Sequence, residues 1–117
     1  MAYDEKLAAR LETALQDREG FSKRKMFGGL CLMINGHMTV GVTSEDMMVR
    51  VGPDGYEDAL AQPHARAMDF TGKPLAGMVY VAKAGVRTKR QLDAWVARGL
   101  AFVEGLPPKK AKTTKKK

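Results

Sequence analysis

The stretch from Lys25 to Met38, "KMFGGLCLMINGHM", decides the fold, because an apolar segment runs directly into a tight turn. The residues from Met26 to Ile34 are nearly all apolar, and Asn35-Gly36 follows them. Asn-Gly is the preferred pair for a two-residue hairpin turn, since both positions need a positive φ angle. The sequence therefore predicts a hairpin whose first strand covers residues 26–35.

Alternation along this first strand places apolar residues on both of its sides. One side carries leucines and Ile34, and the other carries Phe27, Cys31 and Met33. The second strand, "HMTVGV" at 37–42, alternates apolar with polar residues, which predicts a half-exposed strand. The first strand therefore needs cover on its second side, from a helix or from another copy of the chain. We expect Phe27, Cys31 and Met33 to form the contact face of a homodimer or of a protein partner.

Periodicity and turn signals place the remaining elements around this hairpin. Thr88 and Gln91 match a capping box at the start of the final helix, and Gly99 on its apolar face predicts a close approach to the sheet. The predicted elements are, in chain order, a helix at 4–18, strands at 26–35, 37–42 and 47–51, a short helix at 56–61, strands at 65–70 and 76–83, and a helix from 88 to about 105. This order, α-β-β-β-α-β-β-α, indicates an α+β fold with an antiparallel sheet of about five strands.

The net charge of +7 is concentrated at the C-terminal end of the chain. Residues 1–106 carry 14 lysines and arginines against 13 acids, whereas residues 107–117 carry six lysines and no acid. A chain of 117 residues with 44% hydrophobic residues has the size and composition of one globular domain. We therefore expect one folded domain over residues 1–106 and a disordered, lysine-rich tail over residues 107–117.

The cysteine count and the hydropathy pattern exclude several classes of protein. Cys31 is the single cysteine, so the chain has neither an intramolecular disulfide nor a paired-cysteine zinc motif. No apolar run approaches the roughly 20 residues that span a bilayer, and the N-terminus lacks the apolar core of a signal peptide. The sequence indicates a cytoplasmic protein that does not contact a membrane, and we expect no cofactor.

Two segments of the chain carry a family resemblance, "RKMFGGLCLMINGHM" and "YVAKAGVRTKRQLDAWVARGLAFVEGLPPK". They resemble the TfoX/Sxy N-terminal domain family. The recurring features of that family are a Met-Phe-Gly-Gly start to the first strand, a hairpin after it, and a closing helix that contains a tryptophan. The resemblance covers about residues 4–108, and its motif falls on Met26, Phe27, Gly28 and Gly29. It implies an α+β domain similar to the secretion-chaperone-like folds, in which the motif is structural.

The same resemblance carries an expectation about function. Members of the family that are named for their role regulate natural competence, and they usually have a second, C-terminal domain. We expect this chain to be a stand-alone, single-domain member. The resemblance then implies a non-enzymatic regulatory or adaptor module, which acts through protein contacts and is linked to the regulation of transcription or DNA uptake.

Two alternative functions come from other classes. The first is weak, non-specific nucleic-acid binding, because the basic residues fall into clusters while no base-reading motif is present. The second is a thiol-dependent enzyme at Cys31 and His37, which only their proximity across the hairpin supports; no other catalytic residue and no metal ligand is predicted. The candidate nucleic-acid contacts are Lys23, Arg24, Lys25, Arg87, Lys89, Arg90, Lys109, Lys110, Lys112, Lys115, Lys116 and Lys117.

Overall fold

The chain folds as one antiparallel sheet with helices packed on it. The structure is a computed structural model, which describes residues 3–26, 28–68 and 77–106. Its sheet has the strand order β1-β2-β3-β4-β6-β5. The predicted α+β fold is thus confirmed, with six strands in the described part instead of about five. The elements are α1 (Glu5–Leu15), β1 (Phe21–Met26), β2 (Gly29–Ile34), β3 (His37–Thr43), β4 (Asp46–Arg50), α2 (Gly52–Leu60), β5 (Ala65–Ala67), β6 (Met78–Val81), a short 3₁₀ helix (Lys83–Val86) and α3 (Lys89–Glu104).

The additional strand arises because the predicted first strand is divided at its glycine pair. β1 ends at Met26 and β2 begins at Gly29, which lies opposite Met26 in the ladder. Gly28 has a φ angle of 73°, as a tight hairpin connection requires. The sequence pattern did not reveal β1 because three consecutive cations at 23–25 interrupt it. β1 lies at the edge of the sheet, where exposed cations are tolerated and discourage pairing with another chain.

A bulge in β3 corrects the prediction that this strand is half exposed. The ladder pairs Leu32 with Val40 but Met33 with Met38, so Thr39 is an extra residue in β3. As a result Met38 joins Met33 on one side of the sheet, and Thr39 is fully buried. Six of the seven positions of β3 are buried. The prediction was wrong because an alternation of period two changes face across a bulge.

Other predicted boundaries agree with the structure or shift by a few residues. Asn35 and Gly36 have φ angles of 54° and 84°, as the predicted turn requires. The capping box at Thr88 is present, and α3 ends where it was predicted to end. α2 begins earlier than predicted because Pro53 occupies its first turn, where a missing N–H group is tolerated. β5 and β6 are shorter than the predicted strands at 65–70 and 76–83, and the intervening "TGKP" lies outside the described residues.

The three helices pack on one face of the sheet and bury the larger of two apolar clusters. α1 contacts β2 and β3, α3 contacts β3 and β4, and α2 contacts β5 and β6. Leu11 and Leu15 of α1 are fully buried against this face, as are Val40, Val49 and Val79 of the strands. Burying each such side chain contributes about 1.5–3 kcal/mol. The contact between helices and sheet is therefore the main source of stability.

The opposite face of the sheet carries a second cluster, which we call the methionine cluster. β2 is buried at all six of its positions, so its second side is covered, as its sequence predicted. Gly41 makes room for part of this cluster, because an added Cβ would lie 2.9 Å from the Cε atom of Met48. Unbranched thioether side chains fill such irregular spaces well. The buried members of the methionine cluster are Cys31, Met33, Met38, Met48 and Met68, with Met78 and Tyr80 packed against them.

Gly99 allows α3 to lie close to β3, as the sequence predicted. A Cβ atom added at Gly99 would lie 2.8 Å from the carbonyl oxygen of Thr39 and 3.2 Å from Cγ1 of Val40. Because the nearest atom belongs to the backbone, Gly99→Ala has to displace α3. We expect it to lower the free energy of unfolding by about 1–3 kcal/mol, despite the better helix propensity of alanine. Urea denaturation measures this change.

Gly105→Ala is the matched control for that substitution. An added Cβ at Gly105 would lie 3.5 Å from the carbonyl oxygen of Phe102, an ordinary contact distance, and its φ angle is −84°. We expect the free energy of unfolding to change by no more than about 0.5 kcal/mol. Equal destabilisation by the two substitutions would contradict the role assigned to Gly99.

Asp4 caps the N-terminus of α1. Its Oδ1 atom accepts hydrogen bonds from the backbone N–H groups of Lys6 at 2.9 Å and Leu7 at 3.1 Å, and its Oδ2 atom lies 3.4 Å from Nζ of Lys83. The hydrogen bond from Leu7 contributes most to holding the pKa of Asp4 below its ordinary value of 3.8. Because this pKa is lowered by folding, the ionised carboxylate stabilises the fold above pH 3.8, and the contribution disappears as the pH falls through the lowered pKa.

We expect Asp4→Ala to lower the free energy of unfolding by about 1 kcal/mol near neutral pH, because the capping hydrogen bonds are lost. Asp4→Asn retains a capping oxygen and should lose less. Urea denaturation at a series of pH values should show the difference between wild type and Asp4→Ala shrinking as the pH falls below 3.8. A difference that grows on acidification would show that the carboxylate is not the stabilising form.

Candidate functional site

A groove with a volume of about 650 Å³ lies between α1 and α3 on the outer surface of the helix layer. At the start of α3, Nη2 of Arg10 donates a hydrogen bond to the carbonyl oxygen of Arg87 at 3.3 Å. At the end of α3, Arg18 forms an ion pair with Glu104 at 3.0 Å. The two helices therefore run side by side in the same direction, with the groove along their length.

The groove has an apolar floor and low walls. The leucine and valine side chains of the floor are at most 8% exposed, so they belong to the core of the helix face. The wall residues are small and exposed, so they leave space for side chains of another molecule above the floor. The floor consists of Leu92, Val96 and Leu100, the walls of Thr13, Ala14 and Ala97, and the rim of Arg10, Lys89 and Asp93.

One end of the groove is positively charged. Lys89 forms an ion pair with Asp93 at 2.6 Å, whereas Arg87 and Arg90 form no ion pair with any residue in the described part of the chain. The opposite end is neutral, because Arg18 and Glu104 neutralise each other there. We call the charged end the basic end of the groove; Arg10 and Lys89 line it, and Arg87 and Arg90 flank Lys89 at the start of α3.

The structure separates the two basic clusters that the sequence predicts as nucleic-acid contacts. Arg87, Lys89 and Arg90 lie at the basic end of the groove. Lys23, Arg24 and Lys25 lie in the edge strand β1, where Arg24 pairs with Cys31 and the two lysines pair with leucines of the helix-covered face. The three cations of β1 therefore point to two different faces of the sheet. The lysines at 109–117 lie outside the described residues, and direct nucleic-acid binding stays a prediction.

The family motif forms the connection between β1 and β2. Met26 closes β1, Phe27 lies outside the described residues, and Gly28 takes the positive φ angle of the turn. A Cβ atom at Gly29 would clash with the backbone of Val42, so this glycine permits the close pairing of β2 with β3. In the described residues the motif acts through the backbone.

The predicted partner face on the first strand is already covered in a single chain. Cys31 is fully buried and Met33 is 7% exposed, both within the methionine cluster. Phe27, the third residue of that face, lies outside the described residues. Burial of the second side of this strand therefore does not require another copy of the chain, and a homodimer through this face stays a prediction.

Cys31 and His37 lie on opposite sides of the sheet. Cys31 belongs to the methionine cluster, whereas His37 pairs across the hairpin with Ile34, whose side chain belongs to the helix-covered core. Directly paired residues on neighbouring antiparallel strands share a face. The backbone of the sheet therefore separates the thiol from the imidazole, and the two groups do not form a nucleophile and its base. Burial also raises the pKa of Cys31 to about 11.

The described part of the chain was also searched for metal ligands and for membrane-spanning helices. Within residues 3–26, 28–68 and 77–106, no three His, Cys, Asp or Glu side chains converge in a way that could hold a metal ion. Among the helices that the structure describes, none combines the length and the apolar character needed to cross a bilayer.

The groove was not predicted from the sequence, although the chain carries a signal for it. Ala14 of α1 is exposed. On α3, Ala94, Ala97 and Ala101 recur at helical spacing and are all exposed. Such a strip of small residues beside a buried face indicates a second apolar surface, but its partner helix could not be read from the sequence.

We expect Cys31 to react slowly with a thiol reagent in the folded protein. Raising the pKa of the thiol from 9.0 to about 11 lowers the thiolate fraction at neutral pH about a hundredfold, and burial also blocks access. Labelling with a chromogenic disulfide reagent should therefore be at least about a hundredfold slower in the folded chain than in the same chain in concentrated urea. Equal rates in the two states would show an accessible thiolate and would reopen the thiol-enzyme alternative.

Comparison with known proteins agrees with the resemblance seen in the sequence. The model of the TfoX N-terminal domain family matches residues 13–103. This match runs from within α1 through the whole sheet to the last turn of α3, and it covers more than three quarters of the chain. No curated protein and no solved structure matches the chain. Because the family match includes the sheet, the motif turn and nearly all of α3, the chain belongs to the TfoX N-terminal domain family.

Proposed function

We propose that this chain is a non-enzymatic regulatory or adaptor domain, which binds another protein through the groove between α1 and α3. The observation that carries the proposal is a groove with an apolar floor, exposed small residues on its walls and a charged rim. Membership of the TfoX N-terminal domain family supports a regulatory role. The process that we propose for it is the regulation of transcription or DNA uptake.

The other surfaces of the described chain are less suited to binding a protein. The edge strand β1 carries cations at 23–25, and the opposite edge strand, β5, has only three residues. The groove differs from these surfaces because apolar side chains, open space and charge meet there.

The chemistry of the chain supports a binding role over catalysis. Catalysis needs a nucleophile or an acid and base held within reach of each other. Cys31 and His37, the pair that the sequence offered for this purpose, lie on opposite sides of the sheet. The groove itself is lined by apolar and small residues, with cations and one carboxylate at its rim. Such a lining favours recognition of a surface over chemical conversion of a substrate.

Affinity capture from a lysate of the native organism, before and after nuclease treatment, tests the proposal. Ala97→Glu places a carboxylate in the groove at an exposed position, where it should not disturb the core. We expect a protein that is retained after nuclease treatment and whose recovery falls at least about tenfold with Ala97→Glu, because a charge buried at an interface without a partner is costly.

Arg24→Glu is the matched control, because Arg24 is exposed on β1 and lies away from the groove. This variant should capture the same protein as the wild-type chain. Capture that disappears with nuclease would favour the nucleic-acid alternative over the proposal. If neither Ala97→Glu nor Arg24→Glu reduces the recovery of the captured protein, the binding surface lies elsewhere.

A further inference from the structure

We infer that the groove between α1 and α3 binds an acidic amphipathic helix of a partner protein, which runs antiparallel to both helices. This inference rests on the proposed function and names the chemistry of the partner. Its three parts, a helix, an acidic flank and an antiparallel direction, come from three separate features of the groove.

The spacing of the floor residues matches a helix. Leu92, Val96 and Leu100 lie four residues apart along α3, so they form an apolar row about 12 Å long. An amphipathic helix presents a row of similar spacing, and helices pack by placing such rows in each other's grooves. Ala14 and Ala97 stand on either side of the floor and are small enough to let a third helix approach. The row therefore matches about two turns of a partner helix.

The charge of the rim selects an acidic partner. The basic end holds four cations, of which only Lys89 has a carboxylate partner among the described residues. Arg10 is held in place by its hydrogen bond to the carbonyl oxygen of Arg87, so its charge stays at this end. A partner with glutamate or aspartate on the flank of its apolar row meets these cations, whereas a basic partner is repelled. Residues 107–117 are not the occupant, because they carry six lysines and no acid.

The direction of α1 and α3 sets the direction of the partner helix. α3 begins at the basic end, so the positive end of its dipole adds to the charge of the side chains there. A helix that runs antiparallel to α1 and α3 places the negative end of its own dipole there. The acidic residues of the partner therefore belong to the C-terminal half of its helix.

Synthetic peptides of about 18 residues test the inference without knowledge of the natural partner. The first peptide has a leucine row with glutamates flanking its C-terminal half. The second has lysines in place of those glutamates, and the third has the composition of the first in an order without an apolar row. Fluorescence anisotropy with the full chain should show the first peptide binding at least about tenfold more tightly than either of the others.

Substitutions in the groove complete the test. Ala97→Glu should weaken binding of the glutamate peptide at least about tenfold. The double variant Arg87→Glu and Arg90→Glu should reverse the preference between the glutamate and lysine peptides, while Arg24→Glu should leave it unchanged. Equal binding of the first two peptides, or of the first and third, would overturn the inference, and so would binding that Ala97→Glu does not affect.

Two further measurements test whether a second copy of the chain or DNA occupies the groove instead. If light scattering shows a dimer that Ala97→Glu dissociates, the occupant is a second copy of the chain and the inference is overturned. It is overturned also if a short DNA duplex displaces the glutamate peptide and binds through Arg87 and Arg90 regardless of Ala97→Glu. If the peptides show no preference while captured protein is still lost with Ala97→Glu, the proposed function stands and the acidic helix does not.

Discussion

The contact between α3 and β3 at Gly99 is the constraint on which the rest of the structure depends. The absent side chain of Gly99 leaves room for the carbonyl oxygen and the methyl group of Thr39, the extra residue of the bulge in β3. The distance of α3 from the sheet follows from this contact. Gly52 acts in the same way at the end of α3, where it leaves space for the ring of Phe102. Together the two contacts hold α3 close to the sheet and beside α1. The groove lies between these two helices.

Apolar surface is distributed unequally over the two faces of the sheet. The helix-covered face contains most of the buried side chains, whereas the methionine cluster closes the other face with flexible thioethers. Side chains of the same chain thereby cover both faces of β2 and β3. The groove lies between two helices, and its floor is formed by side chains that also belong to the core. The two ends of the groove differ in charge, because cations lie where α3 begins and the ion pair between Arg18 and Glu104 lies where α3 ends.

Part of the candidate site could be predicted from the sequence. Arg87, Lys89 and Arg90 stood out as a cluster at the start of a helix, and they form most of the basic end. Arg10 did not stand out, because 77 residues separate it from Arg87, to which it donates a hydrogen bond. The walls of the groove were equally hidden, since an exposed alanine carries no signal until its neighbour across the groove is known. A site shared by two distant helices is a property of their packing.

For the fold as a whole, the sequence by itself determined the features that depend on a few neighbouring residues. These are the Asn35-Gly36 turn, the capping box at Thr88 and the apolar character of both sides of β2, each of which reflects local backbone geometry or alternation. Only the tertiary structure decided that the cationic segment Phe21–Met26 is a strand and that β3 contains a bulge. The physical reason is that hydrogen bonds to a neighbouring strand, and not the preferences of the segment itself, hold an edge strand in place and set the register of a bulge.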